Sequence, residues 1–283
     1  MISVVIPVYR AETTLPRALR SVVAQSHQDW EAIIVSDDGG DYAALLRQHG
    51  LRDERLRVVT TGRVRSGCHN ARNVGLATAC GDFIAALDAD DVFLPERLDR
   101  LLPAAQAGGA ATDNPQVIAD ATGNELYRAR TSDFERVRLG IADLLDLSVP
   151  LFPLVAREFA EPRFPGVELG EDVVANLRLI DRLGGLTMLG ETLSQYRVVT
   201  GSLCHNDQSA NGFEESYTEL IERLASGDRL GLSAGNAALA RDGLTRKRDF
   251  NRAFDAARVS EPDLDFQTFA SWRATAHAPP VLG

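Results

Sequence analysis

Over its first ninety residues the chain alternates short β-branched runs with stretches of helical spacing, and this alternation constrains it more than any other feature. "ISVVIPV" (2–8) is almost wholly apolar, as a strand covered on both faces must be. Leu15, Ala18, Leu19, Val22 and Val23 then recur at helical spacing, with Thr13 or Thr14 available as a cap. "WEAIIVS" (30–36) is a second strand, followed by helical Tyr42, Leu45, Leu46 and His49. "LRVVT" (56–60) precedes Ala71, Val74, Leu76 and Ala79, and "DFIAALD" (82–88) is a fourth strand. Pro95 reads as the first residue of the helix carrying Leu98, Leu101 and Leu102. Strands separated by helices mean right-handed βαβ units on a parallel sheet. Ligands of such sheets bind beyond the carboxyl ends of the strands. The positions to inspect are therefore Pro7 to Tyr9, Asp37 and Asp38, the loop from Thr61, and Asp88 to Asp91.

From about residue 110 the alternation breaks. "QVIADATGNELYRAR" reads as two short strands around a Thr-Gly-Asn turn, with a helix expected near 133–147 and the strand-like "PLFPLVAR" at 150–157. "GEDVVANLRLIDRLGG" (170–185) predicts a helix that opens on two acids and closes on Gly184, and "TLSQYRVV" (192–199) a further strand. Beyond Asn206 the pattern is helical, with Phe213, Tyr217, Leu220, Ile221 and Leu224 on one face and further helices near 233–242, 245–258 and 263–275.

Composition removes several classes of function. The 283 residues carry a net charge of -10, which lacks the basic footprint of nonspecific nucleic-acid binding or polybasic attachment to lipid. No run reaches the roughly 18 apolar residues of a membrane span, and "MISVVIPVY" reads as a strand, not a signal peptide. Cys68, Cys80 and Cys204 fall in no metal-ligand or redox spacing, which fits thiols in a reducing, cytoplasmic setting. Of thirty basic residues only Lys247 is lysine, and no glycine-rich loop precedes it. That disfavours P-loop kinases and pyridoxal-phosphate enzymes, which depend on a lysine, whereas arginine suits bidentate recognition of phosphate. No GxGxxG follows the first strand, which disfavours a dinucleotide dehydrogenase.

"AALDADDVFLPERL" (85–98) holds three carboxylates in four positions. A helix cap accounts for one, Asp91, ahead of Pro95. Two like charges about 4 Å apart cost roughly 4 kcal/mol at an effective dielectric of 20. Two readings of the remainder stand open: solvated loop acids, or a divalent cation sharing a carboxylate with a substrate diphosphate.

"SVVIPVYRAETTLPRALRSVVAQSHQDWEAIIVSDDGG" and "ARNVGLATACGDFIAALDADDVFLPERL" resemble the family 2 inverting glycosyltransferases of GT-A fold. The likeness is close over residues 2–100, looser to about 205 and absent from the tail. It implies a mostly parallel α/β sheet flanked by helices: a GT-A domain over 1–205, with a nucleotide-binding half (1–100) and an acceptor-side half (101–205), and a helical extension over 206–283. The activity implied is transfer of a sugar from a nucleoside diphosphate donor, usually uridine diphosphate, to a hydroxyl acceptor, with Mn²⁺ or Mg²⁺ as cofactor. A saccharide or lipid-linked acceptor in bacterial polysaccharide synthesis is the family-level expectation.

Position by position, the resemblance implies that Pro7 and Tyr9 line the base and ribose pocket, and that Asp38 reads the uracil edge. Asp-Asp-Gly-Gly is also ordinary turn chemistry. Arg72 matches the arginine of the Ala-Arg-Asn motif near the nucleotide, Asp88 the ribose or metal-water contact, and Asp90 the metal ligand. Asp172, beside Glu171, matches the general base; adjacent helical residues point about 100° apart, so one of the two faces the sugar. In "YRVVTGSLCHN" (196–206) Arg197 and Ser202 are candidates for the diphosphate, and His205 for the metal. Arg63 and Arg65 are further candidates for phosphate or acceptor. Two rivals remain: a sugar nucleotidyltransferase, which would need a basic glycine-rich loop absent here, and a non-catalytic nucleotide-sugar-binding module. The tail has three open uses: self-association, cover for the acceptor groove, or contact with a lipid acceptor at the inner membrane face.

Overall fold

The computed structural model describes residues 1–162, 170–199, 209–261, 264, 266 and 268–271. The first half follows the expected alternation: β1 (Ile2–Val8), α1 (Leu15–Val23), β2 (Trp30–Ser36), α2 (Tyr42–Gln48), β3 (Leu56–Thr60), α3 (Cys68–Thr78) and β4 (Phe83–Ala86). β1 lies between β2 and β4, parallel to both, and β3 pairs parallel to β2. The chain thus moves outward from β1 to β3, then returns to the other side of β1. That reversal opens a crevice beyond the carboxyl ends of β1 and β4, where ligands of open α/β sheets bind. β1 and β2 are buried along nearly their whole length, as their unbroken apolar runs require.

The second half continues with β5 (Val92–Phe93), α4 (Arg97–Gly108), β6 (Ala110–Thr112), β7 (Gln116–Ala119), β8 (Glu125–Arg128), β9 (Arg136–Leu139) and α5 (Ile141–Asp146). After these come β10 (Leu154–Ala156), α6 (Glu171–Leu183), β11 (Leu186–Leu189), β12 (Ser194–Val198), α7 (Ser209–Ala225) and α8 (Ala234–Ser260). Eight strands form the main sheet in the order β3-β2-β1-β4-β10-β6-β11-β9, with β10 antiparallel to both neighbours. A second sheet, β5-β12-β7-β8, lies beside the end of β4. The mixed α/β sheet flanked by helices is the expected fold class.

Several expectations change in detail. The helix expected at 133–147 is β9 followed by the short α5: "RVRL" alternates at period two and pairs antiparallel with β11, and Gly140 separates the two elements. α4 begins at Arg97, not Pro95, and Asp91 does not cap it; the Leu98 amide of its first turn donates to Gln25 Oε1 at 3.0 Å instead. Thr14 holds the N-cap position of α1 without a side-chain cap bond. α6 closes on Gly184 in the left-handed region, as expected. The two helices expected at 233–242 and 245–258 are the single α8. Gly243 reads as a break in the sequence, but it is the point where α8 crosses α5: a Cβ there would lie 2.4 Å from Leu145 Cδ1.

Among the described residues, the two largest apolar clusters stabilise the halves. One joins β1, β2, α1 and α4 through residues such as Ile6, Leu19, Ile34 and Leu98. The other joins α5, α6, β9 and β11 to the tail, with Leu145, Leu177 and Ile180 packed in one cluster with Leu220, Leu230, Leu232 and Leu244. No helix among the described residues is long and apolar enough to cross a membrane.

Candidate active site

The ends of β1, β2 and β4 set out the first group of side chains. Tyr9 follows β1 and remains 39% exposed, with the Arg10 guanidinium 5.3 Å from its ring centroid. Pro7 pairs in register with Val35 inside the sheet. Asp38, just past β2, accepts four hydrogen bonds: from Arg10 N (2.5 Å), Gly40 N (2.8 Å), Tyr42 Oη (2.7 Å) and Ser36 Oγ (3.1 Å). Burial works to raise the Asp38 pKa, but these donors hold it below the usual carboxylate value. Its neighbour Asp37 is buried and faces the other way. It accepts from Thr61 Oγ1 (2.8 Å), Ser66 N (3.0 Å), Ser66 Oγ (2.5 Å) and Gly67 N (2.9 Å), which fastens the loop after β3 to the end of β2. Arg63 and Arg65 project from that loop into solvent.

The three clustered acids have three different environments. Asp88 is ion-paired with Arg72. Asp91 is buried and accepts the Arg197 backbone N–H at 2.8 Å, which ties the acidic turn to β12. Burial, with Asp90 and Asp88 adding to it, pushes the Asp91 carboxyl well above its ordinary value. Asp90 is half-buried, and among the described residues no basic side chain is ion-paired with it. Burial and then the Asp88 charge push it up to about 6. The nearby Arg17 charge works in the opposite direction but is outweighed.

Arg72 projects from α3 into the protein, only 7% exposed. Its guanidinium donates to Asp88 on one side and to Glu171, in the first turn of α6, on the other, and lies 5.2 Å from the Phe152 ring centroid. Desolvation works to lower its pKa, but Asp88, Cys68, Glu171 and Asp172 together drive it higher. Glu171 is thus turned inward and buried. Asp172, one position on, is half-buried and lines a cavity between α5, α6, α7 and α8. The two adjacent acids diverge as the helical rotation requires.

The geometry adds two residues that sequence reasoning passed over. Asp120, beyond the end of β7, is ion-paired with Arg197 Nε at 2.6 Å and Arg17 Nη1 at 2.8 Å. Arg17 also donates to the Asp90 carbonyl at 2.9 Å. Burial disfavours the Asp120 anion, but the hydrogen bond from Arg197 and the nearby Arg17 charge more than offset it. Arg17, Asp120 and Arg197 form a chain along the edge of the acidic turn. Asp120 follows a strand end just as Asp88 does, so the strand-end rule applied to "QVIAD" would have found it. Ser202 and His205 lie outside the described residues, as does Cys204.

Among the described residues no group of three or more His, Cys, Asp or Glu side chains is gathered as a metal cage. A Mg²⁺ or Mn²⁺ shared with a diphosphate does not need one, since it takes one or two carboxylates and fills its other positions with phosphate oxygens and water. Asp90, half-buried and with no basic side chain ion-paired to it among the described residues, fits that single-ligand arrangement.

The mixed α/β sheet flanked by helices, with acids at its switch point, is a GT-A fold, the fold of a class of glycosyltransferases. The family model described as glycosyl transferase family 2 matches residues 3–151, and the chain belongs to that family. The putative teichuronic acid biosynthesis glycosyltransferase TuaG of Bacillus subtilis is 28% identical over 234 residues, 79% of this chain and 89% of that protein. Against two further bacterial relatives the match spans only 34% and 38% of their length. In structure, Staphylococcus aureus TarS 1–349 in complex with UDP-GlcNAc aligns with a TM-score of 0.68 at 15% identity, over 89% of this chain and 74% of that one. The mannosyltransferase PcManGT of Pyrobaculum calidifontis, in complex with GDP-Man and Mn²⁺, aligns at 0.61 with 14% identity, over 97% and 79%.

Proposed function

We propose that the chain inverts the anomeric centre of a nucleoside diphosphate sugar, most readily a uridine diphosphate sugar, while transferring it to an acceptor hydroxyl in polysaccharide synthesis. The observation that carries this reading is Arg72: one buried guanidinium links Asp88, at the donor crevice, to the helix turn bearing Asp172. Tyr9 and Asp38 lie where a nucleobase would enter, beyond β1 and β2, with Pro7 fixing the strand behind them. The TuaG relationship supports the polysaccharide setting, and the UDP-GlcNAc bound to TarS supports a uridine nucleotide.

Asp90 would hold the Mn²⁺ or Mg²⁺ together with the diphosphate oxygens, and the ion when bound offsets charge on the departing diphosphate. The chain's own residues do the rest. Asp88 orients the ribose side of the donor, held in place by Arg72. Arg17 and Arg197, fixed on Asp120, present guanidinium groups at the edge of the acidic turn, where a diphosphate needs donors. Asp172 accepts the proton of the acceptor hydroxyl as that oxygen attacks the anomeric carbon from the face opposite the leaving group. An ordinary carboxylate is a weak base at neutral pH, so positioning of the two reactants supplies much of the rate.

The test is a product assay with UDP-glucose, UDP-GlcNAc and GDP-mannose, each with and without Mn²⁺. Release of free nucleoside diphosphate with a β-linked product from an α-linked donor supports the reading. Retention of the donor's anomeric configuration would overturn it.

A further inference from the structure

The cavity beside Asp172 measures about 180 Å³ and is built by both the family-matched region and the tail. Aromatic rings line it: Tyr196 from β12, Phe213 and Tyr217 from α7, Phe250 and Phe254 from α8, and Phe266 beyond it. Among them are the polar side chains of Asp172, Lys247, Asn251 and Asp255. Lys247, the one lysine in the sequence, is held there by donation from Nζ to the Leu147 carbonyl at the end of α5, at 2.5 Å. Tyr196 and Pro150 also line the small cleft beside Asp91, so the two hollows adjoin.

We propose that this cavity receives a pyranose ring of the acceptor, so that the tail selects the acceptor sugar. The inference rests on Asp172 being the base. A pyranose has apolar C–H faces and a rim of hydroxyls, and the cavity offers the complement: aromatic and aliphatic walls with carboxylate, amide and ammonium groups between them. Aromatic side chains suit such amphipathic partners. The volume is below the roughly 300–1,000 Å³ of pockets that enclose drug-sized ligands, which fits one ring and not an extended chain. A hydrocarbon occupant would set apolar surface against the half-buried charged groups of Asp172 and Lys247, which is costly.

The test is saturation-transfer NMR on the full chain with UDP and Mn²⁺ present. The probes are methyl β-glucoside, methyl β-galactoside and methyl N-acetyl-β-glucosaminide, with farnesyl phosphate as the hydrocarbon probe. Asn251→Trp fills the cavity from α8, and Val173→Phe fills it from α6 should the first variant fail to fold. The expected result is saturation of the ring C–H protons of at least one glycoside, reduced fivefold or more by either filling variant, while UDP affinity changes less than twofold. The proposal is overturned if no glycoside is saturated, if the signal survives filling, or if farnesyl phosphate displaces the glycoside. UDP binding without glycoside binding removes this inference and leaves the glycosyltransferase reading standing. Glycoside binding that is lost on filling, in a protein that binds no nucleotide, would show a sugar site but overturn its reading as the acceptor site of a transfer.

Discussion

Arg72 and Glu171 stand 99 positions apart in the chain, yet their side chains form a buried ion pair between α3 and the first turn of α6. Removing one member of such a pair leaves a charge in the interior without its partner, at a cost of about 3–5 kcal/mol. Arg72→Met should lower unfolding stability by about that amount, because Glu171 stays buried and loses its counter-charge. Adding Glu171→Gln should recover part of the loss. Urea denaturation of the two single variants and the double variant measures both effects; independent, additive losses would contradict the pairing.

Asp90→Asn should weaken UDP binding in Mn²⁺ by about tenfold or more, or roughly 1.4 kcal/mol. Metal-free binding should barely change, since the substitution removes only the proposed cation ligand. Calorimetric titrations with UDP, run with Mn²⁺ and with a chelator, separate the two. Equal losses in both would assign Asp90 a structural role.

Asp172→Asn keeps the shape of the side chain and removes its basicity. Transfer should fall by about 10²–10⁴-fold, with UDP affinity within about twofold of the parent. A parallel loss of both would take the base assignment away from this residue.

The start of α8 is capped from a distance. Asp181 on α6 accepts from Ser233 N at 3.1 Å, Ser233 Oγ at 2.6 Å and Asn236 Nδ2 at 2.6 Å. Burial opposes the Asp181 anion, but these bonds hold its pKa below the ordinary value. A folded-state pKa below the unfolded one stabilises fully above the unfolded value, near 3.9, and the benefit is lost as pH falls through the folded value. Asp181→Asn should therefore cost about 1 kcal/mol at pH 7, and the gap between parent and variant should begin to close as pH falls below about 4. Melting curves between pH 7 and pH 3 test this; a gap that stays constant with pH would refute it.

Gly243→Val should lower stability by about 1–3 kcal/mol through overpacking, because α5 already fills the space its side chain would enter. Leu145→Ala should relieve part of that cost, as denaturation midpoints of the pair would show.

The nucleotide-side fold is readable because β1 to β4 are each specified locally, by apolar runs bounded by helices. In the second sheet β7, β8 and β12 are legible as strands but their assembly is not: β5, β12 and β7 come from distant stretches, and the two residues of β5 carry no period at all. The turn carrying Asp88, Asp90 and Asp91 is visible as a concentration of like charge, but the sequence does not say how each acid is stabilised. Arg72 neutralises Asp88, and a backbone amide of β12 holds Asp91. Only the folded chain makes those assignments, since the partners lie 16 and 106 residues away. Arg17 escaped notice because it sits within an ordinary amphipathic helix, and its role depends on Asp120 arriving from the region of weak resemblance. Glu171 and Asp172 were visible as a pair; their opposite directions follow from helix geometry, but which of them meets Arg72 does not.

The leucines of α7, α8 and the turn between them interlock with those of α5 and α6, so the tail is part of the foundation and not an attachment. A lineage that exchanged this segment to reach a new sugar would also have to rebuild the floor beneath Asp172, the proposed base. Changes of specificity in such an enzyme should come as small edits to ring-bearing positions, made without disturbing the aliphatic seam below them.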